Sequence, residues 1–504
     1  MSKTAVSWAL GLALAAPLCV SAQDLASFEK KTTVEVLENG LTVLVCERHE
    51  VPVVSFFTYV DTGSDREVPG ITGLAHMFEH MAFKGTSTIG TKDYTAEKGA
   101  LEKVETAYRA YDRERRRVAG RDAFRLARLE TEWKSAITAA DASVITNGFS
   151  EIVERQGGTG LNAFTSSDQT GYIYSFPANR LELWAYLESE RFLHPVMREF
   201  YKERDVVVEE RRLRTESQPI GRLVEQFTAA AFTAHPYGQP VIGWPSDLQA
   251  FSATDAREFF DRYYVPANMV VAVVGDVSPG EVFPLVEKYF SRLPKREKPE
   301  PLRTVEPPQN AERQVVLTDA AQPFYVEGYH RPATGDPDDA IYDAISDILS
   351  NGRTSRLYRK LVRDTKIAAG AAGFNGFPGD KYPNLFVVYA MTTPGHKPEE
   401  ARDLIRAEID RLKTEDVTDD DLSMVKVRAK ADLIRGLGDN SGLAFQLASA
   451  QARYGDWREV FRRVDRMDKV TKAGIRRVAE ATFRPSNRTV GLIESTELAA
   501  AAGK

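Results

Sequence analysis

The sequence predicts an α+β protein of two homologous halves, because the same order of elements occurs twice along the chain. Two strand-like segments, 314–317 and 324–329, are followed by a helix at 338–349, which repeats the order found near the N-terminus. Later, a turn and strand at 484–493 follow a helix and echo the segment 263–274. Internal repetition of this kind is typical of a duplicated structural unit.

The first half begins with a predicted β-hairpin. The strand-like segments 32–37 and 41–45 flank Asn39-Gly40, a dipeptide typical of tight two-residue turns. The largely apolar segment 53–60 predicts a strand in the centre of the sheet. A glycine-bearing loop then leads into the segment 73–86.

A helical insertion is predicted after this segment. The charged stretch from Tyr94 to about Ala140 has no proline and predicts a helical hairpin, within an insertion at about 94–150. We interpret it as a surface feature without chemistry. Beyond it we expect strands near 157–165, 171–176 and 264–277, and helices at 181–192, 203–214 and 279–293.

Composition divides the chain at 295–313. This segment holds four prolines among charged residues, as expected of a linker between domains. It separates a first domain, 23–294, from a second domain, 314–504. Ahead of both, a lysine, an apolar run and a small-residue cleavage site predict a signal peptide at 1–22.

The predicted signal peptide implies that the mature protein is exported, to the periplasm or beyond. No later stretch approaches the ~20 apolar residues that a membrane span requires. Cleavage leaves Cys46 as the only cysteine, so no intramolecular disulfide is possible and stability depends on the buried cores. A formal net charge of −6 over 504 residues gives no reason to expect a nucleic-acid or anionic-membrane partner.

The segment 73–86 contains candidate metal-binding residues. On a helix, His76, Glu79 and His80 share one face, because they stand three and four residues apart. Two neutral imidazoles at this spacing bind one metal ion, and the carboxylate beside them handles a proton. A single histidine on an apolar face is usually a satisfied core residue, but this chain has only seven histidines. The pair with its glutamate therefore predicts a metal site of the inverted His-x-x-Glu-His type.

Four motifs together resemble a known family; they are the segments 73–86, 161–166, 203–210 and 235–243. Through them, and over nearly all of the mature chain, the sequence is similar to the pitrilysin-type zinc metallopeptidases, the inverzincins. The similarity is greatest to the two-domain branch that includes mitochondrial processing peptidase. It implies two homologous domains, each a mostly antiparallel sheet covered by helices, with the metal motif in the first domain only.

The resemblance also implies roles for individual residues. His76 and His80 would bind one Zn²⁺ per chain, and Glu79 would act as the general base. A glutamate from a later helix would complete the site, and the alignment of the third motif gives Glu210, with Glu209 as the alternative. Two histidines and one carboxylate leave a fourth position for water, as a catalytic site requires.

Further residues are implied outside the set of metal ligands. Glu203, on the same face of the later helix, resembles the acid that lies behind the ligands in the family. The strand residues Asn162, Ala163 and Phe164 resemble the sheet edge on which the family binds extended substrates through main-chain hydrogen bonds. An ordinary protected sheet edge is the alternative interpretation of this strand.

One position departs from the family pattern. Active members carry, in the second domain, an arginine followed seven residues later by a tyrosine, and this pair holds the carbonyl side of the substrate. Here Arg363 is present, but Gly370 stands where the tyrosine belongs. We therefore hypothesise that a second subunit completes the substrate site, either a paralogue in a heterodimer or another copy in a homodimer.

The function predicted from the sequence is that of an exported zinc metalloendopeptidase. It would hydrolyse peptides or unfolded proteins through a zinc-activated water, with Glu79 taking the proton from that water. One alternative is a non-catalytic structural or peptide-binding subunit of the same family. Metal-dependent hydrolysis of another kind of substrate is a second alternative, supported only by the generic chemistry of the site.

Overall fold

The computed structural model describes residues 25–496 and confirms an α+β architecture of two homologous units. The predicted signal peptide at 1–22 lies outside the described residues. Across the described range, no helix is both long and apolar enough to cross a membrane. Each unit contains one β-sheet with helices packed against it.

Six strands form the first sheet: β1 (Thr32–Val36), β2 (Thr42–Glu47), β3 (Val53–Val60), β4 (Thr159–Thr165), β5 (Thr170–Pro177) and β6 (Met269–Gly275). Their order across the sheet is β1-β2-β6-β3-β5-β4. Only β2 and β6 run parallel, and the other neighbouring pairs are antiparallel. The predicted hairpin is present, with Val36 opposite Thr42 and Gly40 in the turn at a φ of 94°.

Five strands form the second sheet: β7 (Arg313–Asp319), β8 (Phe324–Arg331), β9 (Ala368–Phe377), β10 (Asn384–Thr392) and β11 (Arg488–Ser495). Their order is β7-β11-β8-β10-β9. Here too a single pair of neighbours, β7 and β11, runs parallel, and the other neighbouring pairs are antiparallel. Apart from the additional strand β1, the two sheets therefore match strand for strand, which is the duplication that the sequence predicts.

Helices make up most of the remaining structure. Those before the second sheet are α1 (Leu25–Glu29), α2 (Leu74–Met81), α3 (Tyr94–Arg115), α4 (Ala123–Asp141), α5 (Gly148–Arg155), α6 (Leu181–Leu193), α7 (Phe200–Arg211), α8 (Pro219–Ala231), α9 (Pro245–Leu248), α10 (Ala253–Tyr263) and α11 (Pro279–Phe290). Those that follow its first two strands are α12 (Asp339–Ser350), α13 (Pro398–Thr414), α14 (Asp419–Gly436), α15 (Asn440–Tyr454), α16 (Glu459–Asp468) and α17 (Lys472–Thr482). Helices α3 and α4 pack against each other where the sequence predicts a helical hairpin.

The two units exchange one helix each. Helix α15, from the second half, lies against β3 and β6, where Leu443 and Leu447 join a buried cluster of the first sheet. Helix α8, from the first half, lies against β7 and β11, where Leu223 and Phe227 are buried with side chains of the second sheet. Because helices cover both faces, strand β6 is buried along its whole length, which explains its uninterrupted apolar sequence.

The turns of the two equivalent hairpins, β4–β5 and β9–β10, meet at the junction between the units. The Asp168 carboxylate accepts hydrogen bonds from the backbone N–H groups of Asp380 (2.7 Å) and Lys381 (3.1 Å). The hydroxyl of Tyr237 donates to the same carboxylate. This buried polar contact fixes the position of one hairpin relative to the other, and Tyr237 belongs to the fourth motif found in the sequence.

The segment 295–312 connects α11 to β7 without regular secondary structure. It is nonetheless held in place, because Glu306 accepts backbone hydrogen bonds from Thr233, Ala234 and His235 at 2.8–2.9 Å. The connecting segment is therefore packed against the first unit. The domain boundaries at 294 and 314 stay a prediction from the sequence.

Candidate metal centre

Helix α2 begins at a position that only glycine fits well. Gly73 precedes it with a φ of 96°, and a Cβ there would lie 2.7 Å from the carbonyl oxygen of Ile242. The buried carboxylate of Glu67 accepts the N–H groups of Gly73 (2.8 Å) and Ala75 (2.7 Å), which are unpaired donors at a helix start. Burial raises the pKa of Glu67 to about 8, although these hydrogen bonds oppose the rise. The contacts of Gly73 and Glu67 thus fix the direction of the first turn of α2, which carries the histidines.

Three potential metal ligands converge between α2 and α7. Glu210 Oε2 lies 3.2 Å from His80 Nε2 and 3.7 Å from His76 Nε2. The two imidazole rings, four residues apart on α2, have centroids 4.8 Å apart. Among residues 25–496 these three side chains are the one group of His, Cys, Asp or Glu found close enough to share a metal ion.

The neighbouring glutamate of α7 points elsewhere. Glu209 is 59% exposed and lies 3.5 Å from Arg212, on the solvent side of the helix. Glu210 is 16% exposed and faces α2. Of the two candidates for a third ligand, Glu210 is therefore the one that the packing of α7 against α2 brings to the histidines.

A second acid orients one of the imidazoles. The Nδ1–H of His80 donates to Glu203 Oε1 at 2.9 Å, which leaves Nε2 directed at Glu210. Burial alone would lower the pKa of His80, but the hydrogen bond and charge of Glu203 outweigh it and raise that pKa. Lys84 forms an ion pair with the other oxygen of Glu203. Burial would raise the pKa of Glu203, yet the bonds from His80 and Lys84 lower it.

The predicted general base lies beside the cluster. Glu79 Oε2 is 3.9 Å from His76 Nε2, on the same face of α2. Burial raises the pKa of Glu79, and the nearby hydroxyl of Thr165, at the end of β4, opposes the rise. The carboxylate therefore lies between the histidine pair and the edge strand of the sheet.

The donor set fits a zinc ion. Burial lowers the pKa of His76 to about 3, so this imidazole is neutral near pH 7, which is the form that binds a metal. Two imidazole nitrogens and one carboxylate oxygen are ligands that zinc prefers, and three protein ligands leave a position open. The residues present therefore fit a zinc ion with one coordination position left open.

The predicted substrate strand is an edge strand. Strand β4 pairs with β5 on one side, with Asn162 opposite Ile173 and Phe164 opposite Gly171, and is last in the order of the sheet. Helix α2 packs against it. Asn162 is exposed, whereas Ala163 is buried. An unpaired backbone edge thus runs beside the metal centre in the part of the chain that the structure describes.

The residues expected to hold the substrate carbonyl are not joined to the metal centre. Arg363 is exposed and pairs with its neighbour Asp364, with Nε 2.6 Å from Oδ1. Gly370 lies in β9, where an added Cβ would have no neighbour within 4 Å. No hydrogen bond or ion pair connects either residue to α2 or α7 within the described residues.

One charged neighbour of the site was not predicted from the sequence. Arg214 Nη1 lies 2.8 Å from Glu210 Oε1, and its positive charge adds to burial in lowering the pKa of His76. The spacing of four residues on a predicted helix is a signal for this contact. No spacing in the sequence indicated the contact of Glu67 with α2, because a loop brings this residue to the start of the helix.

The equivalent helix of the second unit carries a different set of charges. Helix α12 follows β8 as α2 follows β3, and it has Asp343 and Asp347 four residues apart. Asp343 pairs with Arg463 (2.6 Å) and Asp347 with Arg428 (2.8 Å). Guanidinium groups thus neutralise these acids, and among the described residues the metal-binding chemistry is confined to the first unit.

Fold and site together define a class of protein: two duplicated sheet-and-helix units, one with an inverted His-x-x-Glu-His helix and a distant glutamate. The family model described as insulinase, peptidase family M16, matches residues 42–114 and 142–244. The model described as the peptidase M16 inactive domain matches residues 250–428. The gap at 115–141 lies inside the predicted insertion and contains α4. The chain belongs to peptidase family M16, which confirms the resemblance to pitrilysin-type enzymes.

Individual relatives agree with this assignment. A Helicobacter pylori protein named zinc protease PqqE is 31% identical over 417 residues, which are 81% of this chain and 80% of the relative. The crystal structure of a protease from Helicobacter pylori superposes with a TM-score of 0.77 at 28% identity, over 92% of this chain and 99% of that one. The first half of the periplasmic protease PqqL from Escherichia coli has the same fold, with a TM-score of 0.69 at 19% identity and coverage of 94% and 93%.

Proposed function

We propose that this chain is a zinc metalloendopeptidase that cleaves peptides or unfolded proteins. The observation that carries the proposal is the convergence of His76 Nε2, His80 Nε2 and Glu210 Oε2, with the Glu79 carboxylate beside them. Relatives named zinc proteases support both the metal and the class of reaction.

In the proposed mechanism, zinc when bound lowers the pKa of a water molecule and polarises the carbonyl of the scissile bond. Glu79 accepts a proton from the attacking water and later donates it to the nitrogen of the leaving amine. Burial raises the pKa of Glu79, and a more basic carboxylate accepts a proton more readily in the first step. Glu203 acts through His80, keeping its Nε2 directed at the ion.

We propose β4 as the substrate-binding edge. A peptide added antiparallel or parallel to Asn162, Ala163 and Phe164 would bond to the main chain, which accounts for tolerance of many sequences. The hydroxyl of Thr165 donates to the backbone carbonyl of Ala75 at 3.4 Å, which links this edge to the helix that carries the proposed base. A peptide in this position would therefore pass next to the metal ligands.

We further propose that the chain acts together with a second subunit of the same fold. Gly370 replaces a tyrosine of active relatives, and Arg363 is paired with Asp364. This chain covers 48% of whole PqqL and 93% of its first half, so that relative carries about as much chain again beyond the part that this protein matches. A paralogous subunit or a second copy would provide the missing contacts.

The predicted domain organisation and location belong to the same proposal. The metal chemistry is assigned to 23–294, the segment 295–313 connects it to 314–504, and a signal peptide at 1–22 directs the chain to the periplasm or outside the cell. The structural similarity to PqqL, which is described as a periplasmic protease, supports that location.

Chelation combined with one substitution tests the proposed reaction. A mixed peptide library should be cleaved by the protein, alone or with its isolated partner, and a chelator should stop cleavage until zinc is restored. Glu79→Gln should keep zinc, because it is not a ligand, while turnover falls by at least about 10²-fold. Normal cleavage by the Glu79→Gln variant would contradict the role of this residue.

A second candidate is a non-catalytic peptide-binding subunit, which the glycine at 370 favours. It predicts that zinc-loaded protein binds peptides without cleaving them, whether or not a partner is present. Mass spectrometry of the incubated library distinguishes the two, because only the peptidase yields chelator-sensitive fragments.

A further inference from the structure

A guanidinium group lies directly beside the carboxylate that completes the metal centre. Arg214 Nη1 is 2.8 Å from Glu210 Oε1, whereas Glu210 Oε2 is the oxygen 3.2 Å from His80 Nε2. The two oxygens therefore have different partners. We propose that Arg214 is a positioning residue that holds Glu210 with a single oxygen directed at the metal, an inference that rests on the metal site of the proposed function.

The backbone that carries Arg214 is fixed independently of its side chain. It belongs to one wide helical turn, Arg212–Glu216, that continues α7. Gly221 of α8 packs so closely that a Cβ there would lie 2.6 Å from the carbonyl oxygen of Arg214. Arg211 anchors the start of the turn through two hydrogen bonds to Glu225, at 2.8 and 2.9 Å.

The side chain of Arg214, in contrast, contributes little to the core. It is 75% exposed, so its truncation leaves no cavity. Its contact with Glu210 is an ion pair whose closest atoms lie 2.8 Å apart, and this attraction favours the orientation of the carboxylate in which Oε1 faces the guanidinium group. Glu210 itself is largely buried, which limits the water available to replace the arginine.

The consequence concerns how Glu210 binds the metal. A carboxylate with one oxygen paired with Arg214 would offer the ion one oxygen instead of two. A single carboxylate oxygen, together with two imidazole nitrogens, leaves one coordination position for water and substrate. Groups that bond to metal ligands in this way typically change metal affinity or activity about 10–100-fold when removed.

The same turn provides a matched control. Arg212 lies 3.5 Å from Glu209, and both side chains are exposed, 62% and 59%. This pair has the same chemistry and the same local backbone, but Glu209 does not contact the histidines. Loss of Arg212 removes an equal charge without releasing the metal-facing carboxylate.

The test uses three variants of the full chain: Arg214→Met, Arg214→Lys and Arg212→Met. Zinc affinity is measured by competition with a chelator, and coordination by the visible absorption of the cobalt-substituted protein, which weakens when the coordination number rises. Arg214→Met should bind zinc about 10–100-fold more weakly and show weaker cobalt absorption, because Glu210 becomes free to turn. Arg214→Lys should recover part of the zinc affinity and part of the cobalt absorption. Arg212→Met should match the unsubstituted protein in both measurements.

Equal zinc affinity and equal cobalt spectra for Arg214→Met and Arg212→Met would overturn the proposal. The melting temperatures of the zinc-free forms should agree, since both arginines are exposed. A difference between the variants in a protein that never cleaves peptides would leave the positioning role standing and refute the peptidase. If the unsubstituted protein cleaves peptides and both variants bind metal identically, the peptidase proposal stands and the positioning role of Arg214 is refuted.

Discussion

At the residue scale, the side chains of the metal centre differ in ways that suit different tasks. Burial keeps His76 neutral at pH 7, with its pKa lowered to about 3. Glu203 fixes the ring of His80 through Nδ1. Glu79 combines a raised pKa with a position next to the edge strand. The surroundings of these side chains therefore suit the proposed roles of His76 as a metal ligand and of Glu79 as the general base.

The two adjacent glutamates of α7 provide a sharp prediction at this scale. Glu210→Gln should weaken zinc binding by at least about tenfold, because an amide oxygen carries no charge to offset the ion. Glu209→Gln should leave it unchanged, since Glu209 is exposed and faces Arg212. Competition with a chelator measures both, and equal losses in the two variants would contradict the assignment of the third ligand.

Gly370 supports a gain-of-function prediction. An added Cβ at this position meets no atom within 4 Å, so the backbone there has room for a side chain to begin. If the missing tyrosine limits the single chain, Gly370→Tyr should raise kcat up to about 10²-fold, the scale of one oxyanion-stabilising donor. Gly280→Tyr, at another uncrowded glycine, is the control. An unchanged kcat in the presence of bound zinc would argue against the role assigned to this position.

At the element scale, α2 depends on the backbone at its start. Its N-terminus is capped by Glu67 and its direction is set by Gly73, which contacts the backbone of Ile242. The helix then places both histidines toward α7. A change at this turn would act on the metal centre without touching a ligand.

Gly73→Ala should lower the free energy of unfolding by more than about 1 kcal/mol, because it adds a steric clash to an unfavourable φ. Gly70→Ala is the matched control, since Gly70 has a similar φ of 99° but open space around it. Urea unfolding of both variants measures the difference, which reports the clash alone. A smaller loss for Gly73→Ala than for Gly70→Ala would show that the turn relaxes.

At the scale of the whole molecule, each sheet is completed by a helix from the other half of the chain. Helix α15 covers the outer face of the first sheet, and α8 covers that of the second. Neither unit buries both faces of its sheet with its own sequence. The units are therefore expected to depend on each other for stability, as their polar junction at Asp168 also indicates.

Truncation of a buried side chain in α15 tests this dependence. Leu447→Ala removes a fully buried side chain and should cost about 2–5 kcal/mol of unfolding free energy. Hydrogen exchange should accelerate in β6, which α15 covers, more than in β11 of its own unit. Ile434→Ala, at an exposed position of α14, should change neither. Faster exchange in β11 than in β6 would contradict the exchanged arrangement.

Much of the architecture was predictable because its signals are local. The Asn39-Gly40 turn, the apolar strand that became β3, and the recurrence that became two matching sheets all appear in short windows of sequence. The exchange of α8 and α15 was not predicted. An amphipathic sequence indicates that one face of a helix is buried, but it does not indicate which sheet that face packs against. The spacing of Arg214 and Glu210 on one helix indicated a contact between them, but only the side-chain positions show which oxygen of Glu210 faces the arginine.

The sequence by itself determined the chemistry that one helix can present. The spacing of His76, Glu79 and His80 places them on one face wherever that helix packs. Only the tertiary structure decided which glutamate of α7 meets them, because that depends on the rotation of α7 against α2. It also decided that β4 is the free edge beside them, since strand order is set by pairing between residues far apart in the chain.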